Sequence, residues 1–384
     1  MSKAVIVSAK RSVVGKFQKS LAPVSPGTLG AMAMKAVIKD AGIAPEMIDE
    51  VIFGNLFNYN MANAARYVWL EAGLPHEVPA FQIDRQCGSS LNAVALAAMT
   101  IETGNADIVL AGGVESYSHQ PFMVERPQTA VPRSLKFLPY EVERDCTPMI
   151  LTAENVAERY KVSREDCDKF ALRSHQLAAA AWKNGYFDDQ VFSIEVPQKK
   201  GDPQIVTMDD CVRFDLTYEA LAKLKPVMKE DGVVTAGNSS PMNDGSSAVL
   251  LMSEEKAKEL KLEPLAVVSA YATAGVDPDY MGIAPIYAIR KLLKRVNKTA
   301  DDIDLYEINE AFASQSLACV RELGIPDEKL NVNGGAIAIG HPNAASGGIL
   351  TARLLHEMKR RDVHSGIVSF CCGGGQGIAV LFER

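Results

Sequence analysis

Paired cysteines, a basic excess and long apolar runs are all missing from this sequence. Its seven cysteines, at positions 87, 146, 167, 211, 319, 371 and 372, include no C-x-x-C pair, so no metal site and no redox couple of that kind is expected. An odd, scattered set reads instead as reduced thiols in a cytoplasmic compartment. With 40 basic and 47 acidic residues the net charge is −7, which gives no attraction to nucleic acid or to an anionic membrane surface. Any anionic ligand would have to be met by local basic groups. No apolar stretch approaches a membrane span. The N-terminus runs directly into a strand-like segment, so no signal peptide is expected there.

What is present is a chain of 384 residues, 47% hydrophobic and 23% charged, long enough for two or three domains around a sizeable core. Residues 4–8 read as a buried strand, 29–40 as a helix, 51–54 as a strand, 91–103 as an Ala-rich helix and 108–110 as a further strand. Strand, turn, helix, strand is the order of a parallel α/β unit. The C-terminal third repeats it, with strands at 265–272 and 305–307 and helices at 285–296 and 348–360. The segment starting Ala44-Pro-Glu-Met-Ile-Asp aligns with Thr299-Ala-Asp-Asp-Ile-Asp. Ile48 precedes Cys87 by 39 residues (87 − 48) and Ile303 precedes His341 by 38 (341 − 303), the mark of a duplication. Between the halves, residues 118–242 break the pattern with prolines, mixed charge and helices at 152–159 and 164–184. This reads as an insertion over the core, of the kind that often serves as a lid or binding loop. Its Lys199, Lys200, Arg213, Lys223 and Lys225 are candidate phosphate contacts, although any single one is more often a solvated charge.

Cys87 falls on a strand-to-helix turn, where helix N-terminal amides favour a thiolate, and Gly88, Ser89 and Ser90 leave its sulfur approachable. A lone cysteine is more often inert, but here the surroundings favour a nucleophile. His341, between a glycine-rich stretch and Pro342, is held at a turn before a helix, where imidazole can take a thiol proton or donate to an oxyanion. The other five histidines, at 76, 119, 175, 356 and 364, read as structural or solvent-facing. Cys371 opens Cys371-Cys372-Gly-Gly-Gly-Gln-Gly between two strands. Phosphate loops and dinucleotide fingerprints open a helix instead, so these glycines suit backbone amides brought close to a bound carbonyl, with a second acid/base beside them. Asn309 precedes a helix and reads either as its N-cap or as an amide holding a water or carbonyl oxygen beside His341.

Four separated motifs, Cys87-Gly-Ser-Ser, Asn309-Glu-Ala-Phe, Gly340-His-Pro with Ala345-Ser-Gly, and Cys371-x-Gly-Gly-Gly-Gln-Gly, together resemble the thiolase family from one end of the chain to the other. Val234-Thr-Ala-Gly-Asn-Ser-Ser and Thr152-Ala-Glu-Asn support the resemblance. It implies an α/β fold of two duplicated halves, forming a five-layered α/β/α/β/α core with an inserted loop domain. The expected division is 1–117 with 243–264, 118–242, and 265–384. By motif, Cys87 would carry the acyl group, His341 would activate it, and Cys371 would move the proton at the substrate α-carbon. One oxyanion hole would come from His341 with a water on Asn309, the other from the amides of Cys87 and Gly373. Coenzyme A would lie near Arg213, Ala236, Ser240, Met149 and Phe312.

The resemblance implies a reversible Claisen condensation of acetyl-CoA with an acyl-CoA, or thiolysis of a 3-ketoacyl-CoA by CoA, in fatty acid metabolism. CoA and its thioesters would be substrates, with no permanently bound cofactor and no metal, and the protein would be a homodimer or homotetramer. Some positions depart from the family pattern: Pro148 and Ile150 flank Met149, Pro241 follows Ser240, and Asn343-Ala344 replaces Leu-Gly. They lie around the acyl and pantetheine pocket and point away from acetoacetyl-CoA, toward a longer or bulkier acyl chain. A hydroxymethylglutaryl-synthase-like enzyme is the neighbouring alternative, opposed by Cys371. A non-catalytic acyl-CoA-binding or partner subunit is another, opposed by the complete reactive set.

Overall fold

The computed structural model describes residues 2–122 and 147–384, so Cys146 and residues 123–146 of the expected insertion lie outside the described residues. The chain opens with β1 (Ala4–Ser12), β2 (Gly15–Lys16), α1 (Pro26–Ala41) and β3 (Glu50–Gly54). Then come α2 (Ala64–Glu71), β4 (Ala80–Ile83), α3 (Ser89–Glu102) and β5 (Ile108–Ser116). The insertion contributes α4 (Met149–Tyr160), α5 (Arg164–Lys183), the short strands β6 (Val191–Phe192), β7 (Ile194–Val196) and β8 (Gln204–Val206), and α6 (Tyr218–Ala222). The chain returns as β9 (Asn243–Ser253) and α7 (Glu254–Leu260). A second series follows: β10 (Ala266–Gly275), α8 (Ala284–Arg295), β11 (Leu305–Ile308) and α9 (Ala313–Leu323). It closes with α10 (Ala336–Ile339), α11 (Ser346–Arg361), β12 (Ser365–Cys372) and β13 (Gln376–Glu383).

Local chemistry sets these elements. Helix α1 begins where the Ser25 hydroxyl accepts the Thr28 amide, with Pro26 in the first turn, and stops at the left-handed Gly42. Helix α3 is Ala-rich and buried on most of its faces, as befits a helix with sheet on both sides. Every residue of β9 is buried.

Strand order exposes the duplication more clearly than residue spacing does. The first half runs β4-β3-β5-β9-β1 and the second β10-β13-β12-β11. In each, a parallel pair (β3 with β5, β11 with β12) is followed by antiparallel neighbours (β9 then β1, β13 then β10). The halves join where β1 pairs with β10, only at Val5 with Val267 and Ile6 with Ala266. Helices α1 and α2 cover the outer face of the first half, and α8 covers that of the second, with α9 packed on α8. Between the two lie α3 and α11, packed against each other and against strands of both halves. The result is the expected α/β/α/β/α stack.

The near-equal spacing of Cys87 and His341 has a different origin from a shared position on the turn. The partners Val51 and Ala80 across β3 and β4 are 29 residues apart (80 − 51), whereas Tyr306 and Leu330, which make the corresponding bridge, are 24 apart (330 − 306). The second half then uses a longer connection before its helix. Cys87 stands two residues before α3 and His341 five before α11, so the equal counts arise from opposing length differences.

A buried ion pair ties the insertion to the core. Arg11 of β1 donates to both carboxylate oxygens of Asp209, at 2.9 and 3.1 Å, with both side chains fully buried. Asp209 also accepts the Val14 amide and the Trp182 indole N–H, and Phe187 lies 5.2 Å from the guanidinium. Arg11→Met would leave the Asp209 charge buried without its cation, so we expect a loss of about 3–5 kcal/mol of stability. Equilibrium denaturant unfolding measures this, and an unchanged midpoint would refute the assignment.

Candidate active site

Cys87 sits on a turn that its neighbours build almost alone. Asp84 Oδ1 accepts the Gln86 amide at 2.7 Å, and Gln86 is held at φ 49°, a conformation uncommon outside glycine. The Gly88 and Ser89 amides donate to the carbonyls of Arg85 and Gln86, and the Ser89 hydroxyl bridges the Arg85 amide and the Gln86 carbonyl. The chain then enters α3, leaving Cys87 half-buried at its mouth.

The N-terminus of α11 meets that of α3. The Gly348 amide donates to Ser90 Oγ at 3.0 Å. A Cβ at Gly347 would fall 2.1 Å from the Leu91 nitrogen, so only glycine permits this approach. The segments leading into the two helices therefore converge, and His341 stands in the second. Its amide donates to Asn243 Oδ1 at 2.8 Å, its Nδ1 is 2.6 Å from Ser346 Oγ, and its Nε2 is 3.4 Å from Asn309 Nδ2. With the Asn309 amide in this orientation its nitrogen donates, which makes Nε2 the acceptor and leaves the hydrogen on Nδ1 toward Ser346. Asn309 is not an N-cap. Helix α9 starts at Ala313 with Phe312 as its cap residue, and Asn309 Oδ1 is buried with no hydrogen-bond partner among the described residues.

The third element is the end of β12. Cys371 and Cys372 are its last residues, and both thiols lie close enough to Cys87 for a charge on one to raise the others. The amides of Cys87 and Gly373 point at the Cys87 sulfur. Arg85 reaches Gln376 Oε1 at 3.1 Å, linking the Cys87 turn to the far side of the glycine loop.

Electrostatically the site rests uncharged. Burial pushes the Cys87 thiol up to about 12, against the pull of those two amides, so the thiolate expected from the helix terminus is not the resting form. Burial holds His341 down to about 4, leaving a neutral imidazole at pH 7. Burial, and then Cys87, raise Cys371 well above an ordinary thiol.

The residues expected around CoA separate into two groups. Met149 packs with Phe312 and Cys371 in one apolar cluster, together with Ile150 and Ala311. Ser240 joins them through its amide, which donates to the Ala311 carbonyl, and Ser239 pairs with Phe312. Ala236 is exposed on the same segment. Arg213 is exposed, and its backbone amide donates to Nδ1 of the buried His175. Lys199, Lys200, Lys223 and Lys225 are likewise exposed.

Two buried carboxyls were not foreseen as supports. Glu310 accepts from Ser174 Oγ, Asn331 Nδ2 and the Ile337 amide, pinning the segment that leads to His341. Glu115 accepts the amides of Leu56, Phe57 and Ala344, and burial pushes it up to about 8. An acidic residue inside an apolar segment was the available signal, since its partners lie far away in the chain.

The family of the thiolase N-terminal domain matches residues 4–255, and that of the thiolase C-terminal domain matches residues 262–384. The chain belongs to the thiolase family. It is 44% identical, over the full length of both chains, to a probable acetyl-CoA acyltransferase of Staphylococcus aureus (strain COL). Among solved structures, the Bacillus anthracis acetyl-CoA acetyltransferase superposes with a TM-score of 0.96 at 43% identity, covering 100% of this chain and 99% of that one. Human mitochondrial 3-ketoacyl-CoA thiolase in complex with CoA gives 0.93 at 40% identity, covering 100% and 98%. With this membership the chain is an acyltransferase.

A thiol raised to about 12 ionises further with each step in pH. Alkylation of Cys87 in the ligand-free thiolase by iodoacetamide is therefore expected to accelerate by about tenfold per unit across roughly pH 7 to 9. Intact-mass time courses read this directly, and a rate that levels off near neutrality would mean a resting thiolate.

Proposed function

We propose that this thiolase acts through an acyl thioester on Cys87 and exchanges acyl groups between CoA thioesters in two half-reactions. The observation that carries this reading is the closeness of two thiols, Cys87 and Cys371, beside the contact of α3 with α11, the helix entered through the segment that bears the neutral imidazole of His341. In the first half-reaction His341 Nε2 takes the Cys87 proton, the sulfur attacks the donor thioester, and CoA leaves as its thiol. Cys87 is then a neutral thioester. Cys371 then gives its proton to His341 Nε2, free again once CoA has left as its thiol. The resulting thiolate, raised by burial but no longer opposed by an ionisable Cys87, takes the α-proton of a second acetyl-CoA. The carbanion attacks the acyl group and expels Cys87 as a thiolate, which takes back a proton from His341, giving a 3-ketoacyl-CoA; thiolysis runs the same steps backward.

Oxyanion stabilisation is assigned to two places. The amides of Cys87 and Gly373 form one donor pair. The other is His341, once its Nε2 has taken a proton, with a water on Asn309 Oδ1, a buried acceptor that a water can donate to while donating onward to the substrate. CoA is the substrate we assign to the face formed by Met149, Phe312 and Ser240, with Ala236 and Arg213 toward solvent; a CoA complex among similar structures supports this. We keep the division 1–117 with 243–264, 118–242 and 265–384 as our reading, supported by the return of β9 between β5 and β1.

A homodimer or homotetramer is supported by the edge strand β4, where Phe81 is exposed near exposed Tyr59, Tyr67 and Leu70. A cytoplasmic location is supported by the free cysteines among the described residues. No helix among the described residues is long and apolar enough to cross a membrane.

Cys87→Ala is expected to lower turnover on the order of a thousandfold or more and to abolish acetylation by acetyl-CoA. Cys371→Ala should still be acetylated at Cys87 yet lose condensation. Intact mass and coupled thiolysis assays separate the two, and thiolysis by Cys371→Ala at the wild-type rate would sink its role. Pro148, Met149 and Ile150 are half-buried, and the latter two pack beside Cys371. Across a panel of 3-ketoacyl-CoAs we therefore expect the highest kcat/KM for a chain longer than acetoacetyl; a clear preference for acetoacetyl-CoA refutes this.

A further inference from the structure

Glu115 lies near the end of β5 in the first half of the core, with no exposure, yet the three groups it accepts from among the described residues are backbone amides. Two, Leu56 and Phe57, belong to the segment after β3 in the same half. The third, Ala344 at 3.3 Å, belongs to the other half, three residues beyond His341. Two residues along from Glu115, the Tyr117 hydroxyl accepts Asn343 Nδ2 at 2.8 Å, so neighbouring side chains of one segment hold neighbouring residues of the His341 loop. The third contact is backbone. Gly113 lies so close to the loop that a Cβ there would fall 2.2 Å from the Ala344 carbonyl oxygen.

We propose that Gly113, Glu115 and Tyr117 form a clamp that docks the His341 loop onto the half of the molecule carrying Cys87, with Glu115 as its central positioning residue. The clamp touches no reacting atom. It acts through the placement of His341 Nε2, because residues 343 and 344 are gripped on one side of the imidazole while Asn243 holds its backbone and Ser346 its Nδ1. Loss of one grip lets the ring drift from Cys87, and proton transfer is sensitive to such displacements. The inference rests on the roles proposed above for Cys87 and His341.

The test is a double-mutant cycle on the full-length enzyme, reading single-turnover acetylation of Cys87 by acetyl-CoA with intact mass. Glu115→Gln leaves one acceptor oxygen for three amides and is expected to slow acetylation by about tenfold, with KM for acetyl-CoA changed less than about twofold. Tyr117→Phe removes one hydroxyl and should slow it by about two- to fivefold. Neither change should slow acetylation further in a His341→Ala background, because a device acting through the imidazole has nothing left to position. A merely structural residue would slow both backgrounds by the same factor, and that result, or an unchanged rate in the single variants, overturns the proposal. Should Glu115→Gln fail to fold, Tyr117→Phe carries the same comparison. If His341→Ala acetylates at the wild-type rate, the base assignment itself fails and the clamp falls with it; if His341→Ala is slow and the clamp variants are not, only the clamp is wrong.

Discussion

The contact between the N-termini of α3 and α11 is the constraint on which the rest of this thiolase depends. Each helix belongs to a different half, and each is entered through a segment bearing one reactive residue. Gly347 against Leu91 and the Gly348 amide on Ser90 fix how those entrances meet. The middle layer does not merely fill space between two sheets. It is the element that brings the two halves together, and the strands of both halves hold it from either side.

Burial then determines the chemistry available there. The two thiols and the imidazole all favour their uncharged forms, because taking a charged form out of water is costly. A thiol raised to about 12 is a poor nucleophile until a base takes its proton, and an imidazole lowered to about 4 is a base at every physiological pH. Neither residue is reactive alone. Like-charge repulsion from Cys87 adds to the burial that raises Cys371, so ionising both at once is disfavoured.

Much of this is legible in the sequence. Period and turn chemistry identified the strands, the Ala-rich helix before β5, and the turns that carry Cys87 and Cys371, because these signals are local. The motifs placed Cys87, Asn309, His341 and Cys371 in one family. Less legible was how the duplication works: equal residue counts suggested equivalent turn positions, yet Cys87 stands two residues before its helix and His341 five before its own. Helix-terminus reasoning also pointed to a resting thiolate. It missed the desolvation that outweighs two amides, because burial depends on what packs from elsewhere in the chain.

Sequence by itself determined the side chains to which we assign the reaction, the alternation of strands and helices, and the glycines that permit close contacts, since each depends on residue type and near neighbours. Tertiary structure alone decided which groups hold them. Glu310 meets Ser174 from 136 residues away, and Ala344 meets Glu115 from 229. No periodicity records such pairings, because a buried carboxyl is recognised by the amides that close around it, and those arrive only when the two halves pack.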